Sequence, residues 1–292
     1  MSVLPSTYND VVVDPVTRMD HGLFKFSAYP DRPPLAWPNG AKVAIAVVIT
    51  VAAGDVASNP TNLIGFTHRD YGPRVGLFRL MGMLDELGIK ATVPLSDALL
   101  TRSPRVAEEV LKRGWELVGR GEKANLGLSS AMSEADETAY IETSRAALHA
   151  ATGMAPRGWL GPGNSESADT LSLLAGAGYD YTLDWGNDDQ PYDFIVPRGR
   201  LSALPYSVET SDAAVVQAQS HTPWEYEQAL SDHLEGLLAD SNGSVMTLGL
   251  QANVSGQPFR SKYIRKSLEA AAATPGVWFA TGSAIIDAYR AG

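Results

Sequence analysis

Short runs of β-branched and apolar residues alternate with amphipathic segments along most of this chain, and few architectures accept that rhythm. Residues 42–50 (KVAIAVVIT) are apolar without a break and too short for a buried helix, so they predict a strand covered on both faces. Residues 74–87 place Val75, Phe78, Met81, Leu84 and Leu87 on one helical face, with Gly88 positioned to cap it. A strand over 90–95 follows, then Ser103-Pro104 as the opening of a helix that runs to Gly114. Residues 116–119 form a strand. Ser133 starts a helix with Asp136 in the capping-box position, continuing to about residue 151. Strands are expected at 157–160, 179–184, 203–208, 245–250 and 277–280, and helices at 167–177, 223–238, 261–273 and 285–290. Strand–helix alternation predicts a parallel sheet. Seven or eight units in 292 residues favour closure into an α/β barrel with its chemistry at the C-terminal strand ends.

Residues 1–40 break the rhythm. Pro30, Pro33, Pro34 and Pro38 favour an extended arm, which either wraps a neighbouring subunit or packs on its own barrel. The expected organisation is an N-terminal arm over 1–40 and a single barrel domain over 41–292, with a homo-oligomer as the expected assembly.

Composition narrows the function. The net charge is −10 and no basic run appears, so nucleic acid and anionic membranes are excluded as partners. No cysteine is present, which removes disulfides, thiolate metal sites and a thiol nucleophile. The N-terminus lacks the pattern of a signal peptide, and no apolar stretch is long enough to span a bilayer, so a cytoplasmic protein is expected. Walker, G-x-S-x-G and G-x-G-x-x-G motifs are missing at the turns where they would act.

Several stretches, in order, resemble one family. Residues 33–40 (PPLAWPNG) ahead of the first strand are similar to the barrel entry of allantoinase-like members of the polysaccharide deacetylase superfamily. Residues 70–76 resemble that branch's E-Y-G-x-R-x-G segment, 88–92 its second strand, and 113–117 (RGWEL) its R-G-H-E-I. Residues 157–162, 174–181 and 205–212 resemble later units, so the likeness covers roughly 25–290. The resemblance implies a distorted (β/α)7 barrel acting on a cyclic amide or ureide through a divalent metal.

The departures fall on that metal. Where the family carries two acidic residues after the first strand, this chain has Val51-Ala52-Ala53-Gly54, with Asp55 the nearest carboxylate. The H-x-x-x-H pattern reads Arg120 to Ala124 or Asn125, the fourth-strand Arg falls on Leu160, and the last His on Gln251. Arginine is a fixed cation and cannot ligate. No metal and no other cofactor is therefore expected.

Arg120 is the candidate electrostatic centre, able to hold a carboxylate or a developing oxyanion; the alternative is an internal ion pair with Glu122 or Asp55. Glu122 and Asp55 are the candidate acid/base carboxylates, and His68, in a presumed loop over the barrel mouth, a candidate proton shuttle. Tyr71, Trp159 and Trp185 are candidates to line a pocket, though a strand position favours Trp159 as core. Asn125, Gln251 and Asn253 supply amides, and Arg260 a second anion contact. The reading that follows is metal-independent hydrolysis of a cyclic amide or ureide C–N bond in a small-molecule substrate. The alternatives are an isomerase, lyase or decarboxylase on a small carboxylate, or a non-catalytic ligand-binding or partner protein.

Overall fold

The computed structural model describes residues 22–51, 63–122 and 127–292. Nine strands form one sheet: β1 (Val43–Thr50), β2 (Ala91–Leu95), β3 (Glu116–Gly119), β4 (Gly158–Trp159), β5 (Tyr181–Thr182), β6 (Tyr192–Asp193), β7 (Ser202–Ala203), β8 (Ser244–Gln251) and β9 (Val277–Phe279). The order is β6-β7-β5-β4-β3-β2-β1-β8, with β9 also beside β1. All neighbours are parallel except β6 and β7. The sheet curls, and the chain after β7 closes it against β8. Gly249 N donates to Thr210 O at 3.2 Å, and Thr210 Oγ1 donates to Thr247 O at 2.6 Å. The result is the distorted α/β barrel of the polysaccharide deacetylase type.

β1 lies at the centre, which is why its run is apolar throughout. Val43, Ile45, Val47 and Ile49 face one way, into a core shared with α2 (Leu77–Leu87), α7 (Pro223–Asp240) and α8 (Pro258–Ala273). Ala44, Ala46 and Val48 face the barrel interior with Val118, Leu160, Tyr181, Leu183 and Leu204. Small residues on this inner face leave room for Tyr181.

The N-terminal mouth is plugged by α9 (Gly282–Ala291). The Glu116 carboxylate accepts from Ser283 N at 3.1 Å, Thr92 Oγ1 at 3.0 Å and Tyr181 Oη at 2.9 Å, and also from Ser283 Oγ. A carboxylate at a helix N-terminus is favoured by the backbone dipoles there. Among the described residues, α9 covers the N-terminal end of the barrel, and the opposite, C-terminal strand ends carry Arg120 and Asp184.

The remaining helices are α1 (Leu63–Tyr71), α3 (Asp97–Arg102), α4 (Pro104–Lys112), α5 (Glu134–Thr152) and α6 (Thr170–Gly176). Ser133 caps α5 as its sequence implies, accepting from Asp136 N at 3.2 Å and donating to Asp136 Oδ2 at 2.7 Å. Gly88 ends α2 with φ 67°. Ser103 makes no side-chain cap bond, because it is the shared joint between α3 and α4. The segment expected as one helix over 74–87 is a π-turn, Gly72–Gly76, running into α2. Its buried face is Leu77, Leu80, Met81, Met83 and Leu84, while Val75 and Phe78 are exposed. The strand expected over 203–208 is only Ser202–Ala203, since its continuation turns across to β8.

Residues 22–40 pack on their own barrel. Trp37 is buried with Nε1 donating to Ser244 O at 3.1 Å, Leu35 N donates to Asn242 O at 3.1 Å, and Ile195 N donates to Leu23 O at 2.7 Å. Among the described residues, no helix is long and apolar enough to cross a membrane.

Candidate active site

Arg120 is the first residue after β3, and two glycines let it sit there. A Cβ on Gly119 would lie 2.6 Å from Tyr179 Oη and 2.8 Å from Trp159 Cε3, and one on Gly121 would collide with the Tyr140 ring. The aromatic side chains close over the backbone while the guanidinium enters the barrel mouth. Its Nε and Nη1 are buried without a hydrogen-bond partner. Burial disfavours its charge, and Tyr206, Asp184 and Tyr140 lie close enough to offset part of that cost.

Asp184 follows β5 by two residues. Its Oδ1 accepts from Gly161 N at 2.8 Å and its Oδ2 from Thr182 Oγ1 at 3.1 Å. Burial pushes this carboxyl above its usual range, and the Gly161 amide, Thr182 and Arg120 pull it partly back. Glu166, on the loop after β4, accepts from Trp185 Nε1 at 2.9 Å through Oε2. Its Oε1 is buried with no donor, and the Asp184 carboxyl acts on the Glu166 side chain. Burial first, then the Asp184 charge, push Glu166 up further than Asp184. Of two carboxyls this close, the one raised further keeps its proton longer, and that one is Glu166. The site is thus a cation with two buried, unpaired nitrogens beside an acid pair, built from the C-terminal ends of β3 and β5 and the loop after β4.

The sequence-derived candidates divide into three groups. Arg120 lies at the centre, and Trp185 joins it through Glu166. Tyr71, Gln251, Asn253 and Arg260 gather around the turn after β8. Arg79 Nη1 donates to Tyr71 Oη at 2.6 Å, a Cβ on Gly72 would lie 3.3 Å from Asn253 N, and the Arg260 guanidinium lies 4.8 Å over the Phe259 ring. Others stand apart. Glu122 is exposed, its carbonyl accepts from Ala98 N at 2.9 Å, and its charge acts on Asp97. His68 is exposed on α1, a helix where a loop was expected. Trp159 is fully buried core. Asp55 and Asn125 lie outside the described residues.

Asp184, Glu166, Tyr206 and Tyr140 were not singled out from sequence. For Asp184 the signal was its place just beyond a barrel strand. Glu166 carries no such mark.

The divalent metal implied by the family resemblance does not fit the described residues. A fixed guanidinium occupies the end of β3, Gln251 ends β8, and no group of three or more His, Cys, Asp or Glu suited to a metal occurs among the described residues.

Comparison with known proteins agrees with the barrel. Residues 59–182 match the polysaccharide deacetylase family model. A Schizosaccharomyces pombe protein, provisionally described as a polysaccharide deacetylase, is 25% identical over 301 residues, covering 87% of this chain and 92% of the relative. A solved Mycobacterium smegmatis structure with the same provisional description is 26% identical with a TM-score of 0.80, covering 89% of this chain and 94% of its own. The PuuE allantoinase structure has the same fold, with a TM-score of 0.83 at 22% identity over 90% of this chain and 96% of its own. Family model, relatives and barrel together show a chain with the polysaccharide deacetylase fold and with sequence similarity to that family over residues 59–182.

Proposed function

We propose that the chain is a metal-independent hydrolase of a small cyclic amide or ureide, with Arg120 as its electrostatic centre and the Asp184–Glu166 pair moving the proton. The observation that carries this reading is the Arg120 guanidinium, with Nε and Nη1 buried and unpaired, beside two carboxyls that burial pushes upward. Ionised Asp184 takes a proton from a water molecule as its oxygen bonds to the substrate carbonyl carbon. Arg120 stabilises the oxyanion that forms. Glu166 then gives its proton to the leaving nitrogen as the C–N bond breaks, which opens the ring to a single product carrying both the new carboxyl group and the freed nitrogen. The proton taken up by Asp184 passes back to Glu166 across the pair. The substrate class is supported by the fold shared with the PuuE allantoinase.

The test is turnover of allantoin, hydantoin and an N-acetylated chitooligosaccharide, with and without a chelator. Opening of a cyclic ureide is expected to survive the chelator and to fall by about 100-fold or more in Arg120→Met, the size of effect seen when an oxyanion donor is removed. Loss of activity to the chelator with recovery on added zinc would overturn the metal-independent reading. Binding of these compounds without turnover would favour the non-catalytic relative.

A further inference from the structure

We propose that Asp212 is a positioning residue, one that fixes the turn after β8 and so sets Gln251 and Asn253 at the barrel mouth. Asp212 is fully buried and begins the π-turn Ala213–Ala218. Both its oxygens accept from Gln251 N, at 2.9 and 2.8 Å, and Oδ2 also accepts from Ser255 Oγ at 2.6 Å. The Ser255 amide adds a further donor. One carboxylate therefore grips both ends of the 251–255 turn. Within the turn, Val254 N and Ser255 N each donate to Gln251 O at 2.9 Å, so the two networks meet at Gln251.

The turn is wedged from its other side. A Cβ on Gly76 would collide with Ala252 O, and one on Gly256 with Gly76. Backbone-to-backbone approach of this kind tolerates little displacement. The clamp must be exact because Gln251 and Asn253 are the last groups β8 contributes to the mouth. The clamp stands on its own hydrogen bonds; its value to turnover rests on the hydrolase reading above.

Tyr206, Tyr226 and Arg260 are the other titratable groups that act on Asp212. Tyr206 also feels Arg120, which links the clamp to the centre of the site. Burial lifts the Asp212 carboxyl to about 7, and the Ser255 and Gln251 donors and Arg260 oppose that rise. The clamp should accordingly tighten as the carboxylate forms.

Hydrogen exchange on the full chain from about pH 6 to about pH 8.5, corrected for intrinsic rates, tests this directly. Protection of the Gln251 and Ser255 amides should rise with pH around a midpoint near 7. Ser255→Ala, which removes one donor to the charged form, should move that midpoint upward. Asp212→Asn should lower protection of the turn by about tenfold or more and abolish its pH dependence, with β1 and α7 unchanged. Equal exchange in the wild type and Asp212→Asn, or losses spread evenly over the barrel, would overturn the clamp. With a ureide that the wild type turns over, Asp212→Asn should raise KM or lower kcat, and Ser255→Ala should shift the pH profile. A loosened turn with unchanged kinetics would remove Asp212 from the site. If the wild type turns over no ureide, the hydrolase reading fails while exchange still decides the clamp.

Discussion

A guanidinium whose Nε and Nη1 are buried without acceptors is unfavourable for folding, since a buried charge or donor needs a partner. Arg120 is retained against that cost, which is the pattern of a group kept for a ligand. Arg120→Met should consequently stabilise the chain, by about 1–3 kcal/mol in urea unfolding, while removing turnover. A destabilised Arg120→Met would mean that the cation already has a strong internal partner. The acid pair makes a second prediction. Asp184 must be ionised and Glu166 protonated, so activity should form a bell across neutral pH. Its acid limb should lie above the ordinary carboxylate range, because burial raises Asp184. Arg120 pulls Asp184 down, so conservative variants at Arg120 that retain measurable activity should move the acid limb to higher pH. The alkaline limb should vanish in Glu166→Gln. An unmoved acid limb in every Arg120 variant would separate the two groups.

Glycines inside one helical segment predict opposite outcomes, and the contrast belongs to the element. Gly76 ends the π-turn, and a methyl there would overlap Ala252 O. Gly82 lies in α2 with nothing within 4 Å of where its Cβ would be. Gly76→Ala should cost about 2–3 kcal/mol, whereas Gly82→Ala should gain up to about 1 kcal/mol from helix propensity. Paired denaturation curves decide it, and equal effects would refute the close approach at Ala252. The same segment shows where local pattern stops being informative. β1 was legible because burial on both faces demands an almost unbroken apolar run, while β3 and β8 were legible as short runs of Leu, Val and Met between helical segments. Helix α1 was not, since its Ile64, Thr67, His68 and Arg69 are exposed and leave no apolar stripe. The active site divides in the same way. Arg120 could be placed because it directly follows a readable strand. Asp184 and Glu166 belong to other β/α units, and the side-by-side pairing of β3, β4 and β5 brings them to Arg120; no spacing along the chain encodes that meeting.

At the scale of the molecule, the buried acids set how stability depends on pH. Asp184, Glu166, Asp212 and Asp97 are all raised, each chiefly by burial. A raised carboxyl contributes stability that is fully present below its unfolded pKa and is lost as pH climbs through its folded value. Asp287 works the other way: Arg157 lowers it, so its contribution disappears only as pH falls below the ordinary carboxylate range. Most of the loss therefore falls between the ordinary carboxylate range and neutrality, where the Asp212 contribution ends at about 7, and Glu166, raised furthest, extends the decline to alkaline pH. Net charge adds to it, because a chain already at −10 repels itself more as these acids ionise. The melting temperature should peak in mildly acidic solution and decline through neutral and alkaline pH. Added salt should recover part of the decline, because it screens the exposed charges, but not the part from the buried acids. Asp212→Asn should flatten the part of the decline that lies below about 7 without abolishing the whole slope. A melting temperature that is level or rising between about pH 6 and about pH 9 would mean that these carboxyls fold as ionised groups. It would also remove the protonated acid on which the proposed hydrolysis depends.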